Sequence, residues 1–153
     1  MSFSTLTAAI DANPDENWDY EGSLSNSSNI TLAFVKSHPT KPWSMYSLSH
    51  NSAIPIADII TDMFDTTPLA WNMDKVSCRS DVTMQIVLDN IGLDWNFINL
   101  SRNSAISIDD VRNNIDLAWD FVIVTANKGA TLDDLTNHPT KGWCYKQLCC
   151  KYN

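Results

Sequence analysis

Glycine is scarce here, four residues in 153. With 44% hydrophobic residues and six tryptophans, that scarcity excludes a collagen-like or disordered composition. No basic stripe exists: ten Lys and Arg stand singly against eighteen Asp and Glu, for a formal net charge of -8. A row of phosphates needs clustered cations, so neither nucleic acid nor an anionic membrane surface is an expected partner. The longest apolar runs, residues 54–60 and 121–124, fall far short of the roughly 20 residues a membrane helix requires. The first residues, MSFSTLT, lack a basic region followed by an apolar stretch, so a cytosolic location is expected. Cys78, Cys144, Cys149 and Cys150 are too few and too clustered for a disulfide framework, and free thiols are expected. Without secretion, the sequons at Asn26, Asn29 and Asn99 carry no glycosylation meaning.

What the chain does have is a period. Trp18, Trp43, Trp71, Trp95, Trp119 and Trp143 are separated by 25, 28, 24, 24 and 24 residues. Five positions after each of the last five stand Leu48, Val76, Leu100, Val124 and Leu148, each followed by a small or polar residue, mostly Ser or Thr. The first copy matches one step late, at Leu24, with Gly22 as the inserted residue. Eleven, thirteen and sixteen positions after Trp the residues are again apolar, as in Ile54, Ile56 and Ile59, or Ala130, Leu132 and Leu135. Residues 37–43 (SHPTKPW) recur at 137–143 (NHPTKGW), and 48–54 (LSHNSAI) at 100–106 (LSRNSAI), as duplication would leave them.

Each period predicts two short helices. The Trp segment, with Trp95, Phe97, Ile98 and Leu100 apolar, suits two turns buried on much of their circumference, ended by Asn51, Asn103 or Asn127 in a left-handed conformation. The other helix opens at a capping side chain, Thr31, Thr83, Ser107 or Thr131, with Pro55 suited to a first helical position. It stops at Asn13-Pro14, His38-Pro39 or His138-Pro139, because Pro cannot continue a helix. The expected fold class is all-α, an α-solenoid of six helical hairpins at about residues 4–29, 30–53, 54–81, 82–105, 106–129 and 130–153. One continuous core without a domain boundary is expected, with the four extra residues at 62–68 as a longer helix or a bulged loop.

Candidate chemistry mostly dissolves into this register. Asp109-Asp110 and Asp133-Asp134 resemble acid/base pairs but fall in the first turn of a capped helix, where carboxylates suit the free amides. His38 and His138 end helices, and His50 lies beside a helix end. Cys144, Cys149 and Cys150 with His138 lack the two Cys-x-x-Cys knuckles of a zinc site, so neither metal nor cofactor is expected. No phosphate loop, nucleophile elbow or dinucleotide fingerprint occurs, and a non-enzymatic protein is expected. An alternative site, for a small ligand or a reaction, would lie near the irregular copy at 62–81, with Arg79 and Asp81 as partners.

Residues 38–54, with 42–54 reading PWSMYSLSHNSAI, resemble the short Trp repeats of paralogous proteins from giant DNA viruses that infect amoebae, the mimivirus and megavirus relatives. The pattern there reads HPxKPWxWxxLSxNxxI. Residues 95–106 match its latter part; the second aromatic is replaced by Tyr20, Met45, Met73, Phe97 or Phe121, and residues 76–79 form a degenerate copy. The resemblance implies a viral origin, residence in the host cytoplasm or the virion, and a repeat architecture, and it implies no catalytic residue. The expectation is a protein–protein interaction or assembly module that forms a homo-oligomer, with Trp143, Tyr145, Leu148, Cys149 and Tyr152 as its interface.

Overall fold

The computed structural model describes residues 5–151, and among them every regular element is helical. The chain divides into two compact units, Met1–Val76 and Ser77–Asn153. The first holds α1 (Leu6–Ala12), a π turn (Tyr20–Leu24), α2 (Leu32–Ser37), α3 (Met45–His50), α4 (Ile56–Met63) and α5 (Met73–Val76). The second holds α6 (Met84–Asp89), α7 (Phe97–Arg102), α8 (Ile108–Asn113), α9 (Phe121–Asn127), α10 (Leu132–Asn137) and α11 (Tyr145–Lys151). Helices this short are marginal alone in water and persist by packing, α3 on α5 in one unit, α7 on α9 and α9 on α11 in the other.

The starts are where the side chains put them. Thr31, Thr83 and Ser107 accept the first free amides of α2, α6 and α8, and Asp110 returns the favour by accepting the Ser107 N–H at 2.7 Å. Thr131 is the N-cap of α10, with Asp134 accepting its N–H at 2.7 Å. Pro55 differs from expectation: it is the N-cap of α4, just outside the helix, because its ψ of 145° is extended. The stops also fall at Asn13, His38 and His138, and equally at Asn90 and Asn114 without help from Pro. The Asn13, Asn90 and Asn114 side chains donate to the carbonyl four residues back, and His38 Nδ1 lies 3.0 Å from the Phe34 carbonyl.

Each Trp then enters through one local device. Its N–H donates to the carbonyl two residues earlier in all six copies, at 2.8 to 2.9 Å, the bond of a γ-turn whose central residue Pro42 fills readily. In five copies the indole Nε1 donates to the carbonyl five residues back, which belongs to the residue closing the preceding helix. The indole thus caps a helix end with its polar edge while its rings pack inward. Trp95, Trp119 and Trp143 are buried, and Trp18, Trp43 and Trp71 half-buried. Deeper still runs an aliphatic column: Leu48, Ile54, Ile59 and Val76 in the first unit, Val82, Val87, Leu100 and Val124 in the second, all without exposure. The apolar position thirteen after Trp is less uniform, for Ile56 and Met84 are buried and Leu132 is half exposed.

Copies are joined by a hydroxyl. Ser25, Ser49, Ser77, Ser101 and Thr125 are all fully buried, and each accepts the N–H of the residue that follows the next Trp. Ser101 shows the geometry: its Oγ donates to the Phe97 carbonyl at 2.7 Å and accepts the Asp120 N–H at 3.0 Å. Ser101→Ala should therefore destabilise the second unit by about 1–3 kcal/mol, the cost of stranding a shielded donor, while Ser101→Thr keeps the acceptor and most of the stability. Urea titration of the two variants checks this; equal midpoints would mean that water replaces the hydroxyl.

Asn51 and Asn103 correct an expectation. Neither is left-handed, with φ of -70° and -63°, and among the described residues positive φ occurs at Gly129 alone. They are selected for their amides, which reach back a whole copy: Asn51 Nδ2 donates to the Ser25 and Ser27 carbonyls, and Asn103 Nδ2 to those of Ser77 and Arg79. Asn127 departs again, ending α9 in helical conformation ahead of its C-cap Lys128. The Lys128 ammonium does the reaching instead, donating to the Asn103 and Ile106 carbonyls, and burial pushes its pKa down.

The residue inserted at Gly22 is absorbed by the π turn, in which Leu24 N–H donates to the Asp19 carbonyl five back. Leu24 thereby reaches the buried position that Leu48 takes in the next copy. Deleting Gly22 is expected to leave the melting temperature within a few degrees of the parent, by converting the turn to a regular one; deleting Asn99 inside α7 should unfold its unit because Leu100 would rotate off the core.

Candidate functional site

The irregular copy brings a group of polar side chains together around Asp62. Its extra residues lengthen α4 to eight residues and add a loop, so both forms anticipated for the insertion occur together. In that geometry no helix-closing carbonyl reaches Trp71, and Asp62 substitutes for it. The buried Asp62 carboxylate accepts Trp71 Nε1 at 2.7 Å and the Leu69 N–H at 2.9 Å, and pairs with the Lys36 ammonium, which also holds Asp65 at 2.6 Å. Burial raises the Asp62 pKa, but Lys36 and the two N–H donors outweigh it and hold the carboxyl below its ordinary value. Two open clefts flank the cluster. One, of about 430 Å³, runs along Lys41, Trp43, Met45, Pro68 and Leu69; the other, of about 610 Å³, lies over Lys36, Asp58, Thr61 and Asp65 beside the exposed Phe64.

Arg79 and Asp81, the other residues singled out in this stretch, belong to the second unit. They form a two-pronged pair, Nε to Oδ1 at 2.8 Å and Nη2 to Oδ2 at 2.7 Å, with the Arg79 side chain buried. Three carboxylates of the two Asp pairs have structural partners too, Asp109 in an ion pair with Arg112 at 2.8 Å. Asp110 completes its capping box, and Asp134 accepts two bonds from Arg112, at 2.7 and 2.9 Å. Arg112 and the Thr131 N–H lower the Asp134 pKa to about 2 despite burial. Because this carboxyl titrates lower folded than unfolded, its contribution is complete above about pH 4 and disappears as pH falls towards 2. Asp134→Asn should remove about 1–2 kcal/mol at neutral pH, discounting for solvent at the Arg112 end, and flatten the acid limb of the second unit's stability curve. An unchanged acid limb would show the pair to be idle.

His38 Nε2 lies 3.2 Å from Asp11, His138 caps α10, and His50 is exposed at the end of α3. All four thiols are free; Cys144 and Cys150 line an open cleft of about 480 Å³ with Lys146 and Gln147. Among the described residues no three His, Cys, Asp or Glu side chains gather around a common point as metal ligands would. Of the expected interface, Trp143 and Leu148 are interior, Tyr145 and Cys149 are exposed, and Tyr152 lies outside the described residues.

Sequence reasoning missed two groups of residues. The buried hydroxyls were visible as a small polar column, but their partner amides lie 19 to 23 residues on and carry no side-chain signature. Ser44, Asn96 and Asp120, which cap the Trp helices, stood directly after Trp in a signal as legible as that of Thr31.

In three of the six copies an apolar side chain is left to solvent at the same place, the others holding Glu21, Asp74 and Lys146 there. The third residue after Trp is Tyr46 in the first unit, 59% exposed, and Ile98 and Val122 in the second, 51% and 50% exposed. Compared with family models, curated proteins and solved structures, the chain matches none of them.

Proposed function

We propose that the chain is a non-enzymatic assembly module: an α-solenoid of six tandem Trp hairpins, of the kind its sequence resembles in giant viruses, that works by protein–protein contact and associates with itself. The observation that carries the reading is the division of labour among side chains. Asp62, Asp109, Asp110 and Asp134 are committed to caps and ion pairs and the buried hydroxyls to copy-to-copy bonds, while Tyr46, Ile98 and Val122 face outward at the third position after Trp in three of the six copies. Apolar side chains exposed at a periodic position are what a repeat surface offers to a partner. Sedimentation velocity of the full chain in reductant, from about one to a hundred micromolar, tests self-association. A rising sedimentation coefficient supports it, and a constant monomer value at every concentration removes it.

A second reading draws on the cleft beside Trp43, whose lining of indole, Met45 and Pro68 suits a flat apolar small molecule. A screen of aromatic fragments followed by Trp fluorescence would detect such binding, and Met45→Asp should abolish it.

A further inference from the structure

We propose that the cleft beside Trp43 takes a planar aromatic acid, its rings against the indole and its anionic group on the Lys41 ammonium; the inference rests on the second reading above and names its ligand class. Two of the six copies carry Lys two residues before Trp, and comparing them isolates one charge. Lys141 donates to Asp116 at 2.9 Å while standing 5.8 Å from the centre of the Phe121 ring. Lys41 holds the matching post, 5.1 Å from the centre of the Tyr20 ring, but Asp15, at the place of Asp116, forms no such pair with it. The Lys41 ammonium reaches the Pro14 carbonyl at 3.3 Å, a long bond to a neutral acceptor, and no carboxylate among the described residues pairs with it. The other cation on the cleft, Lys36, is held by Asp62 and Asp65. Lys41 is thus the cation here that an anion would complement.

The walls make that anion aromatic. Trp43 meets Tyr20 and Phe34 edge-on at 5.0 and 6.2 Å, and its Nε1 is committed to the His38 carbonyl, so the half-buried indole offers the cleft carbon surface and no donor. Met45 adds a polarisable thioether, which favours contact with a ring. Pro68 and Leu69, on the same cleft, follow the longer α4 and its added loop, so the insertion that breaks the repeat register also supplies a wall. The volume of about 430 Å³ lies in the range of small-molecule sites. Because the cleft is open to solvent, the Lys41 charge contributes selectivity more than raw affinity.

Naphthoate and its neutral amide separate the charge from the rings. Calorimetry on the full chain at about 0.1 M salt should show naphthoate binding about fivefold more tightly than the amide, the advantage a partly exposed ion pair gives. The advantage should shrink at about 1 M salt, where charges are screened within about 3 Å. With the five methionines methyl-labelled, the Met45 resonance should move on addition of either probe. Lys41→Met should bring naphthoate down to the affinity of the amide and leave the amide unchanged, whereas Lys41→Arg should keep the preference. Circular dichroism matching the parent shows that each variant folds; one that does not is replaced by Lys41→Gln. If acid and amide bind the parent equally while Met45 moves, or if Lys41→Met keeps the preference, recognition of an anion by Lys41 is overturned and the apolar cleft stands. If neither probe moves Met45 at millimolar concentration, both fall.

Discussion

Trp119→Ala should cost the second unit about 3–5 kcal/mol, the usual range for truncating a buried tryptophan. A unit of this size has roughly 4–11 kcal/mol in total, so most of the population would unfold under mild heating or in low urea. The loss has separable parts. Trp119 is buried, meets Phe97 edge-on at 5.2 Å and 83°, and closes α8 by donating Nε1 to the Asn114 carbonyl at 2.8 Å. Trp119→Phe keeps the ring contact and discards the hydrogen bond, so it should cost about 1–2 kcal/mol plus a smaller cavity. Trp18→Ala, at a half-buried site, should cost clearly less than Trp119→Ala. Urea titrations followed by far-ultraviolet circular dichroism give all three values. Equal losses for Trp18→Ala and Trp119→Ala would contradict an interior role for the indoles.

The indole was legible in the sequence because nothing else does both its jobs. It fills a large apolar volume and carries one donor at the far edge, so each Trp marks the end of one helix and the approach to the next. Caps were legible for a related reason: Thr31, Thr83 and Ser107 act within three residues of themselves, and local geometry leaves a local trace. What stayed hidden acts across copies. Asn51 looked like a helix terminator, since nothing in its neighbourhood reveals that its amide serves carbonyls 24 and 26 residues earlier. Lys128 was hidden for the same reason, and its ammonium replaces an Asn amide only because α9 runs one residue longer than α7. The exposed surface was the least legible part. Trp143 and Leu148 were expected at an interface on hydrophobicity alone, yet the period that identified them also places them inside, and Tyr145 and Cys149 face outward.

Asp62 gives the converse case, an acidic residue whose sequence context suggested a ligand or catalytic site and whose carboxylate stands in for the helix-closing carbonyl that receives the indole in other copies. Asp62→Ala should destabilise the first unit by about 2–4 kcal/mol, because Trp71 Nε1 and the Leu69 N–H both lose their acceptor in a shielded place. Lys36 adds less than its short contact suggests, since its side chain is about a third exposed and solvent screens it. Asp62→Asn separates charge from shape. Its amide oxygen can satisfy one donor, but its NH2 must then face Lys36 or the other N–H, so most of the loss should remain. The pH dependence follows from the same contacts. The folded Asp62 carboxyl titrates below its unfolded value, so its stabilisation is full above about pH 4 and is lost as pH falls further. Lys36→Met removes the largest of the contacts that hold it down, while burial continues to raise it; the acid limb should then move towards neutral pH. If Lys36 carried no part of this dependence, the acid limb of Lys36→Met would stay in place, so a pH titration of the variant decides whether the pair holds the Asp62 charge.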